Sequence, residues 1–152
     1  MQSNIPGVVV KPLNRYTDAR GWLQELFRED ELPEGFRPVM SYLSVTHPGI
    51  ARGPHEHVHQ TDGFVFLNGT YTLYLWENRP GHDPAYEEFV VGEDRPVLVI
   101  VPPGVVHAYR NSGDKDAFVL NFPDRLYAGW GRKEPVDEIR HESDASSPFK
   151  LP

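Results

Sequence analysis

The sequence predicts an all-β fold, a sandwich or barrel built from about ten short strands. Short runs of β-branched and aromatic residues recur along the chain, and turn-forming residues separate nearly all of them. The 15 Pro and 13 Gly among 152 residues supply the turns that many short strands need. Patterns typical of helices are confined to a turn near residues 29–33 and a stretch near residues 135–142, so helices are expected to be minor.

Six runs are the predicted strands: VVV at 8–10, YLSVT at 42–46, FVFL at 64–67, YTLYLW at 71–76, VLVIV at 97–101 and FVLNF at 118–122. Asn68-Gly69 lies between the third and fourth runs, and this pair suits the positive φ angles of a type I′ turn. A two-residue β-hairpin is therefore predicted there. From residue 131 the chain becomes charged and rich in Ser and Pro. We expect residues 1–130 to form the barrel, and residues 131–152 to form a loose C-terminal tail or an arm over a partner subunit.

Length and composition narrow the class of protein. A chain of 152 residues, 39% hydrophobic and 24% charged, is typical of one globular domain. The formal net charge of −7 and the lack of Lys or Arg runs argue against nucleic acid or an anionic membrane as partner. The sequence has no Cys, no signal-peptide pattern and no apolar run near the roughly 20 residues of a membrane helix. A cytoplasmic location is therefore expected.

The most informative stretch is GIARGPHEHVHQTD at 49–62. In a strand over residues 53–58 the side chains alternate, so His55 and His57 share one face. His107 follows a Pro-Pro-Gly turn, after which a later strand is expected to return it to the same space. The sequence therefore predicts a cluster of imidazoles.

These positions resemble the two motifs of the cupins. The matching residues are Gly49, His55, His57, Asp62 and Gly69 in the first motif, and Pro102, Gly104, His107 and Asn111 in the second. The chain departs from the pattern at Asp62, where metal-binding cupins usually have glutamate. The resemblance implies a double-stranded β-helix, the jelly-roll barrel, with a short C-terminal tail.

Two roles remain open for the cluster. In the first, His55, His57 and His107 hold a divalent metal such as iron, manganese, nickel or zinc, with Asp62 or Gln60 as an oxygen ligand. In the second, one imidazole, best His55, abstracts a proton from a carbon beside a ketone. The first role predicts an oxygenase or a metal-dependent isomerase, and the second a cofactor-free isomerase.

A wider resemblance favours the second role. The segment DARGWLQELFRED at 18–30 resembles the D-x-R-G-x-x-x-E opening of the dTDP-4-dehydrorhamnose 3,5-epimerase family, the dTDP-sugar isomerases. Further similar motifs are G-x-x-R-G-x-H ending at His55, an Arg at Arg79 and PPGVVHAY around His107. The resemblance covers about residues 7–130.

Membership of that family implies an epimerase of a nucleotide-linked 4-keto-6-deoxy sugar, working without metal or other cofactor, as a homodimer. His55 is then the base, and Arg20, Arg52 and Arg79 bind the diphosphate and sugar or stabilise the enolate. Four further residues are candidates for substrate contacts: Glu25, Gln60, Asp62 and His107. A second imidazole at His57 resembles instead the R-G-x-H-x-H of the related 3,4-ketoisomerases.

The chain also departs from this family. Asp62 stands where the epimerases have a lysine, and Asn121 stands near their acid tyrosine. The chain also ends before the family's usual C-terminal Asp partner of the histidine. Tyr127, Tyr109 and Tyr42 are the alternative phenols for the acid, with Tyr127 and Asn121 retained as catalytic candidates.

Overall fold

The computed structural model describes residues 1–152 and is almost entirely β. The strands in chain order are β1 Val9–Pro12, β2 Arg15–Asp18, β3 Gly21–Gln24, β4 Tyr42–Thr46, β5 Ala51–Glu56, β6 Asp62–Phe66, β7 Thr70–Glu77, β8 Tyr86–Gly92, β9 Val97–Val101, β10 Val105–Asn111, β11 Ala117–Asn121 and β12 Ile139–Arg140. They form one sheet of order β1-β9-β6-β11-β4, a second of order β12-β5-β10-β7-β8, and the small hairpin β2-β3. The all-β prediction and all six predicted strands are confirmed.

The main core lies between the two five-stranded sheets. Alternate residues of each strand point inward, and together with Ile5 and Val8 from the N-terminal segment they form one buried cluster of sixteen residues that includes Phe66, Tyr71 and Tyr109. Strands β6 and β9 are buried at every position. Their outer face is covered by a second cluster that contains Phe36 and Phe122. Burial on both faces explains why β9 reads as the continuous apolar run VLVIV.

The predicted hairpin at Asn68-Gly69 is wrong. β6 and β7 belong to different sheets, so these residues carry the chain from one sheet to the other. Gly69 does have positive φ, at 70°. The Asn68 side chain, however, pairs with the main chain of the β11 region, where its Oδ1 accepts a hydrogen bond of 2.7 Å from Phe118 N–H. Asn68 does not have positive φ, so the predicted type I′ turn is also wrong, and the pair joins two layers instead of two neighbouring strands.

Helical structure is limited to three 3₁₀ turns at Glu29–Glu31, Trp130–Arg132 and His141–Ser143. The first agrees with the turn predicted near residues 29–33. None of these turns has the length and hydropathy of a helix that crosses a membrane.

The C-terminal segment, residues 131–152, is not a loose tail. Its β12 pairs with β5, and His141 Nε2 lies 2.9 Å from Glu56 Oε1 on the same strand. His141 Nδ1 also lies 3.0 Å from Ser147 Oγ. The segment therefore packs against the barrel of its own chain, and only the edge of the predicted helical stretch is helical.

An irregularity between β5 and β10 prepares the functional site. His107 of β10 pairs with His55, whereas Tyr109 pairs with Arg52, so β5 carries one extra residue in this interval. Such a bulge turns a side chain to the other face of the sheet. Gly53 lies in the bulge with φ of 82°, and a Cβ there would come within 2.6 Å of the His107 carbonyl oxygen. Only glycine permits this close approach.

Candidate active site

A cavity of about 1240 Å³ opens beside β5. Its lining includes His55, His57, Gln60, Asn121 and Tyr127. Arg52 also lines it, although three positions separate Arg52 from His55 and a regular strand would place them on opposite faces. The bulge in β5 therefore brings an arginine and a histidine into one cavity.

Four predicted residues converge beneath this cavity. One potential ligand atom from each of His55, His57, Asp62 and His107 lies within 4.8 Å of the others. The ring centroids of His55 and His107 are 4.4 Å apart, because the two residues are paired across β5 and β10. Asp62 and His107 are 3% and 1% exposed. These two residues, predicted to contact substrate, lie behind the cavity lining and support the other imidazoles.

His57 and Asp62 form a buried ion pair. His57 Nδ1 donates to the carbonyl of Asp137, and Nε2 donates to Asp62 Oδ2 over 2.9 Å, so the imidazole is doubly protonated. Burial alone would lower the pKa of His57, but the hydrogen bond to Asp62 and its charge outweigh burial and raise the pKa to about 9. Burial would raise the pKa of Asp62, yet its contacts with His107 and His57 hold that pKa far below the usual range.

Gln60 completes the contacts of Asp62. Its side-chain amide donates to Asp62 Oδ1 over 2.6 Å, while Oδ2 faces His57. Gln60 also lines the cavity. The predicted alternative oxygen ligand therefore orients the carboxylate in this structure.

His107 leaves one ring nitrogen without a hydrogen bond. Its Nδ1 donates to the Val105 carbonyl over 3.1 Å. Its Nε2 is buried and lies 3.3 Å from Asp62 Oδ2 without the geometry of a hydrogen bond. In both His57 and His107 a backbone carbonyl engages Nδ1, so Nε2 of each ring points toward Asp62.

His55 is a neutral imidazole at the cavity. Burial holds its pKa well below the usual 6.5, and the nearby His107 and His57 act in the same direction. Its Nε2 lies 4.0 Å from Glu138 Oε1, close enough for electrostatic attraction but too far for a hydrogen bond. A neutral imidazole has a free lone pair, so His55 is able to accept a proton at pH 7.

Glu138 corrects the expectation that the chain lacks a C-terminal carboxylate near the histidine. The pairing of β12 with β5 brings this residue to His55, and Arg140 Nε donates to its other oxygen over 2.7 Å. No motif in the sequence singles out Glu138, because its position depends on the pairing of a two-residue strand. The carboxylate is a glutamate in place of the expected aspartate.

The other predicted cavity residues differ in burial. Tyr109 is buried, and its hydroxyl lies 3.4 Å from Ser44 Oγ. Burial raises the pKa of Tyr109 and also that of Tyr42, so both phenols remain protonated. Tyr127 is 52% exposed at the rim, and Asn121 is buried with its amide donating to the Val119 carbonyl. All four line the same cavity.

Three predicted substrate contacts are not at this cavity. Arg20 is an exposed residue at the β2-β3 turn, where its guanidinium bonds Asp18. Glu25 lies beside Arg28 and lines a separate cavity of about 170 Å³. Arg79 bonds Glu77 and the Pro6 carbonyl, which fixes the N-terminal segment to the barrel. The motifs around these residues match in sequence, but Arg20 and Arg79 each bind the carboxylate two residues before them.

Sequence reasoning missed a group of residues on the cavity wall. They are Arg125, Trp130, Arg132, Asp137 and Glu138. Trp130 is 83% exposed, which is unusual for so large an aromatic side chain. Positive φ angles at Ala128 and Arg132, 55° and 60°, strain the turn that presents it. The Gly-Trp-Gly triplet at 129–131 is the signal for this group in the sequence.

Comparisons with known proteins agree with this architecture. The model of the polysaccharide biosynthesis C-terminal domain family matches residues 16–131. The probable low-salt glycan biosynthesis epimerase of Haloferax volcanii is 35% identical over 127 residues, which are 82% of this chain and 81% of that protein. The spore coat polysaccharide biosynthesis protein SpsL of Bacillus subtilis is 34% identical over 126 residues, 81% of this chain and 82% of that protein.

The dTDP sugar isomerase from Desulfovibrio desulfuricans has the same fold. The two structures align with a TM-score of 0.82 at 21% identity, over 96% of this chain and 91% of the isomerase. The cupin jelly roll predicted from the two histidine motifs is thereby confirmed. The chain belongs to the polysaccharide biosynthesis C-terminal domain family, and its fold is that of the dTDP-sugar isomerase cupins.

Proposed function

We propose that the protein is an epimerase or isomerase of a nucleotide-linked 4-keto-6-deoxy sugar, working by proton abstraction beside the ketone. The neutral, cavity-facing imidazole of His55 is the observation that carries this proposal. The relatives give it independent support, since one is called a glycan biosynthesis epimerase and a protein of the same fold is called a dTDP sugar isomerase.

The chemistry follows from the protonation states. His55 takes the proton from the carbon next to the ketone, and the electron pair of the C–H bond moves to the carbonyl oxygen to give an enolate. Positive charge nearby stabilises that oxygen, and Arg52 is the cavity residue suited to this task. Return of a proton to the opposite face of the carbon inverts it. Tyr127 and Tyr109 present phenol hydroxyls at the cavity wall that are suited to deliver this proton.

A nucleoside diphosphate suits the remainder of the cavity. Arg52, Arg125 and Arg132 line it, and none of the three makes an ion pair with a carboxylate of the chain. Arg52 instead donates to Thr46 Oγ1 over 3.2 Å and to the Val45 carbonyl over 2.6 Å. Unpaired guanidinium groups bind diphosphate oxygens well, and the exposed indole of Trp130 offers a flat surface for a base.

The same cluster supports a second candidate function, that of a metal-binding cupin enzyme. The donor set fits a divalent transition metal, because the carbonyls that engage Nδ1 of His57 and His107 leave Nε2 of both facing Asp62. The buried Nε2 of His107, which has no hydrogen bond, is the observation that favours this reading. His55, His57, His107 and Asp62 would hold the ion. A bound metal would act as a Lewis acid on the ketone oxygen.

Assembly as a homodimer is also proposed. β4 is an edge strand whose Leu43 is 55% exposed, and the β2-β3 hairpin exposes Trp22 and Leu23 at 54% and 62%. Edge strands with apolar side chains are common sites of association between subunits.

The test of the leading function is solvent deuterium exchange. Wild-type protein in D₂O is expected to introduce deuterium at C3 or C5 of a 4-keto-6-deoxy sugar nucleotide, detected by NMR and mass spectrometry. His55→Asn should reduce the exchange rate by about 10²–10⁴-fold, the usual contribution of a general base, with the same circular dichroism spectrum. Exchange that survives the substitution would remove His55 from the role of base.

Metal content separates the two candidates. Protein purified without chelator should be measured by elemental mass spectrometry, and exchange should then be measured before and after dialysis against a chelator. Exchange that persists in metal-free protein supports the proton-transfer mechanism without metal. Stoichiometric metal, with exchange lost on its removal and regained on its return, supports the metal-binding enzyme.

A further inference from the structure

Asp137 contacts the active site through both its side chain and its main chain. Its carboxylate accepts hydrogen bonds from the N–H groups of Val58, His59 and Gln60, over 2.8, 2.8 and 2.9 Å. Its carbonyl accepts the hydrogen bond from His57 Nδ1. A single residue of the C-terminal segment thus holds the His57 ring and the turn that follows it.

We propose that Asp137 is a positioning residue that fixes the orientation of the His57 imidazole in the active site. This inference rests on the proposed function. It applies whether His57 carries a charge in the proton-transfer mechanism or binds a metal, since both roles require Nε2 to face Asp62.

The geometry explains why the carboxylate matters to a ring that it does not touch. The ring of His57 keeps its orientation only while an acceptor stands at Nδ1, and that acceptor is the Asp137 carbonyl. Three charge-assisted hydrogen bonds to the side chain of Asp137 fix where this carbonyl lies. If they weaken, the carbonyl moves and the ring is free to rotate, so Nε2 no longer stays 2.9 Å from Asp62 Oδ2.

Asp137 is not needed merely to dock the C-terminal segment. β12 pairs with β5 independently, and His141 is held by Glu56 on one side and Ser147 on the other. These contacts remain when the Asp137 side chain is changed. A substitution at this position therefore tests the orientation of His57 with the segment in place.

The informative variant is Asp137→Asn. Asparagine has a single acceptor oxygen, and its NH₂ group cannot accept from the N–H groups of residues 58–60, so at least one of the three hydrogen bonds is lost. Asp144→Asn is the matched control. Asp144 lies in the same segment and caps Ser146 over 2.8 Å, but it has no contact with residues 57–60.

Two measurements test the proposal. The first is ¹⁵N NMR of histidine-labelled protein, in which the Nδ1–H signal of His57 is assigned by its absence in His57→Asn. Wild-type protein and Asp144→Asn should show this signal protected from exchange with water, and Asp137→Asn should lose that protection. The second is the rate of deuterium exchange. We expect kcat to fall about 10–100-fold in Asp137→Asn with KM changed less than about twofold, as for other residues that orient a catalytic or ligating histidine.

An unchanged His57 signal in folded Asp137→Asn overturns the proposal, even if activity falls. An unchanged kcat overturns it as well. If Asp137→Asn does not fold, Asp137→Glu replaces it, because the longer side chain keeps the charge and displaces the main chain. This variant should also lose protection of the His57 Nδ1–H signal and have a lower kcat. If wild-type protein introduces no deuterium into the sugar nucleotide, the proposed function fails. The NMR comparison still decides whether Asp137 orients His57.

Discussion

At the scale of single residues, the site is defined by where protons lie. Two of the three clustered imidazoles, His57 and His55, differ in protonation state, because only His57 makes a hydrogen bond with the Asp62 carboxylate. His57 is held positive by its hydrogen bond to Asp62, whereas His55 is held neutral by burial and by the neighbouring imidazoles. The spacing His55-x-His57 predicted the shared face, but it did not distinguish the two protonation states.

The ion pair of His57 and Asp62 predicts a pH dependence of stability in metal-free protein. The pKa of His57 in the folded chain, about 9, lies above the unfolded value of 6.5. Its contribution to the free energy of unfolding is therefore complete below pH 6.5 and is lost as pH rises to about 9. Asp62 has a lowered pKa, so its contribution is present above its unfolded value of 3.8 and is lost as pH falls below it.

Urea unfolding with a chelator present checks this prediction. The free energy of unfolding should decline by roughly 1–3 kcal/mol between pH 6.5 and 9, an amount reduced from the full shift because the pair is coupled. His57→Gln removes the titrating ring and should not show this decline. A wild-type profile that is flat across the interval would mean that His57 is neutral in the folded protein.

At the scale of elements, the bulge in β5 is the feature that builds the site. It turns Arg52 to the face that carries His55, and it brings Gly53 against the His107 carbonyl. A regular strand with the same sequence would separate the arginine from the histidine. The motif R-G-x-H therefore describes a local irregularity of the sheet as much as a set of side chains.

Gly53→Ala should damage both fold and function. The new Cβ would lie 2.6 Å from the His107 carbonyl oxygen, and the backbone has φ of 82°. Gly81→Ala is the control, since Gly81 has φ of 79° with nothing within 4 Å of the added carbon. In calorimetry the control should lower Tm by about 2–4 °C, the effect of roughly 1 kcal/mol of backbone strain in a chain of this size. Gly53→Ala should lower Tm at least twice as far and reduce exchange activity. Equal shifts in the two variants would show that the bulge tolerates a side chain.

Sequence prediction succeeded for elements with strong local patterns and failed where distant pairing decides. The apolar runs at 97–101 and 64–67 gave their strands correctly because burial shows directly in composition. Asn68-Gly69 does not form the predicted hairpin, because a turn residue does not specify which sheet the next strand joins. β12 was not predicted, because a strand of two residues is too short to show the alternation of apolar and polar side chains. Its pairing with β5 nevertheless brings Glu138 to the site.

At the scale of the whole molecule, charge is distributed unevenly. The chain has a formal net charge of −7, yet three arginines without carboxylate partners line the cavity beside β5. Guanidinium groups without carboxylate partners offer local binding sites for an anionic ligand in this cavity. Two of these arginines were not predicted, since nothing in their spacing distinguishes Arg125 and Arg132 from surface residues.

This distribution predicts a ligand-dependent stabilisation. A nucleoside diphosphate at about 100 times its Kd should stabilise wild-type protein by about 2.7 kcal/mol, which thermal unfolding reports as a rise in Tm. Arg132→Gln should reduce that rise by weakening the binding of the diphosphate. Arg95→Gln is the control, because Arg95 is exposed and outside the cavity lining. If the two variants respond alike, Arg132 has no specific part in nucleotide binding.

The position of β5 between β10 and β12 also bears on how the protein folds. His55 meets one neighbour from residue 107 and another from residue 138, so the site closes only after two long segments of chain have been brought together. Closing such long loops is slow, and proteins dominated by distant contacts fold in milliseconds to seconds. A folding intermediate in which β10 and β12 have not yet paired with β5 would contain strands but no working imidazole cluster. Recovery of activity after denaturation would thus report the final docking of the chain, later than most of its secondary structure.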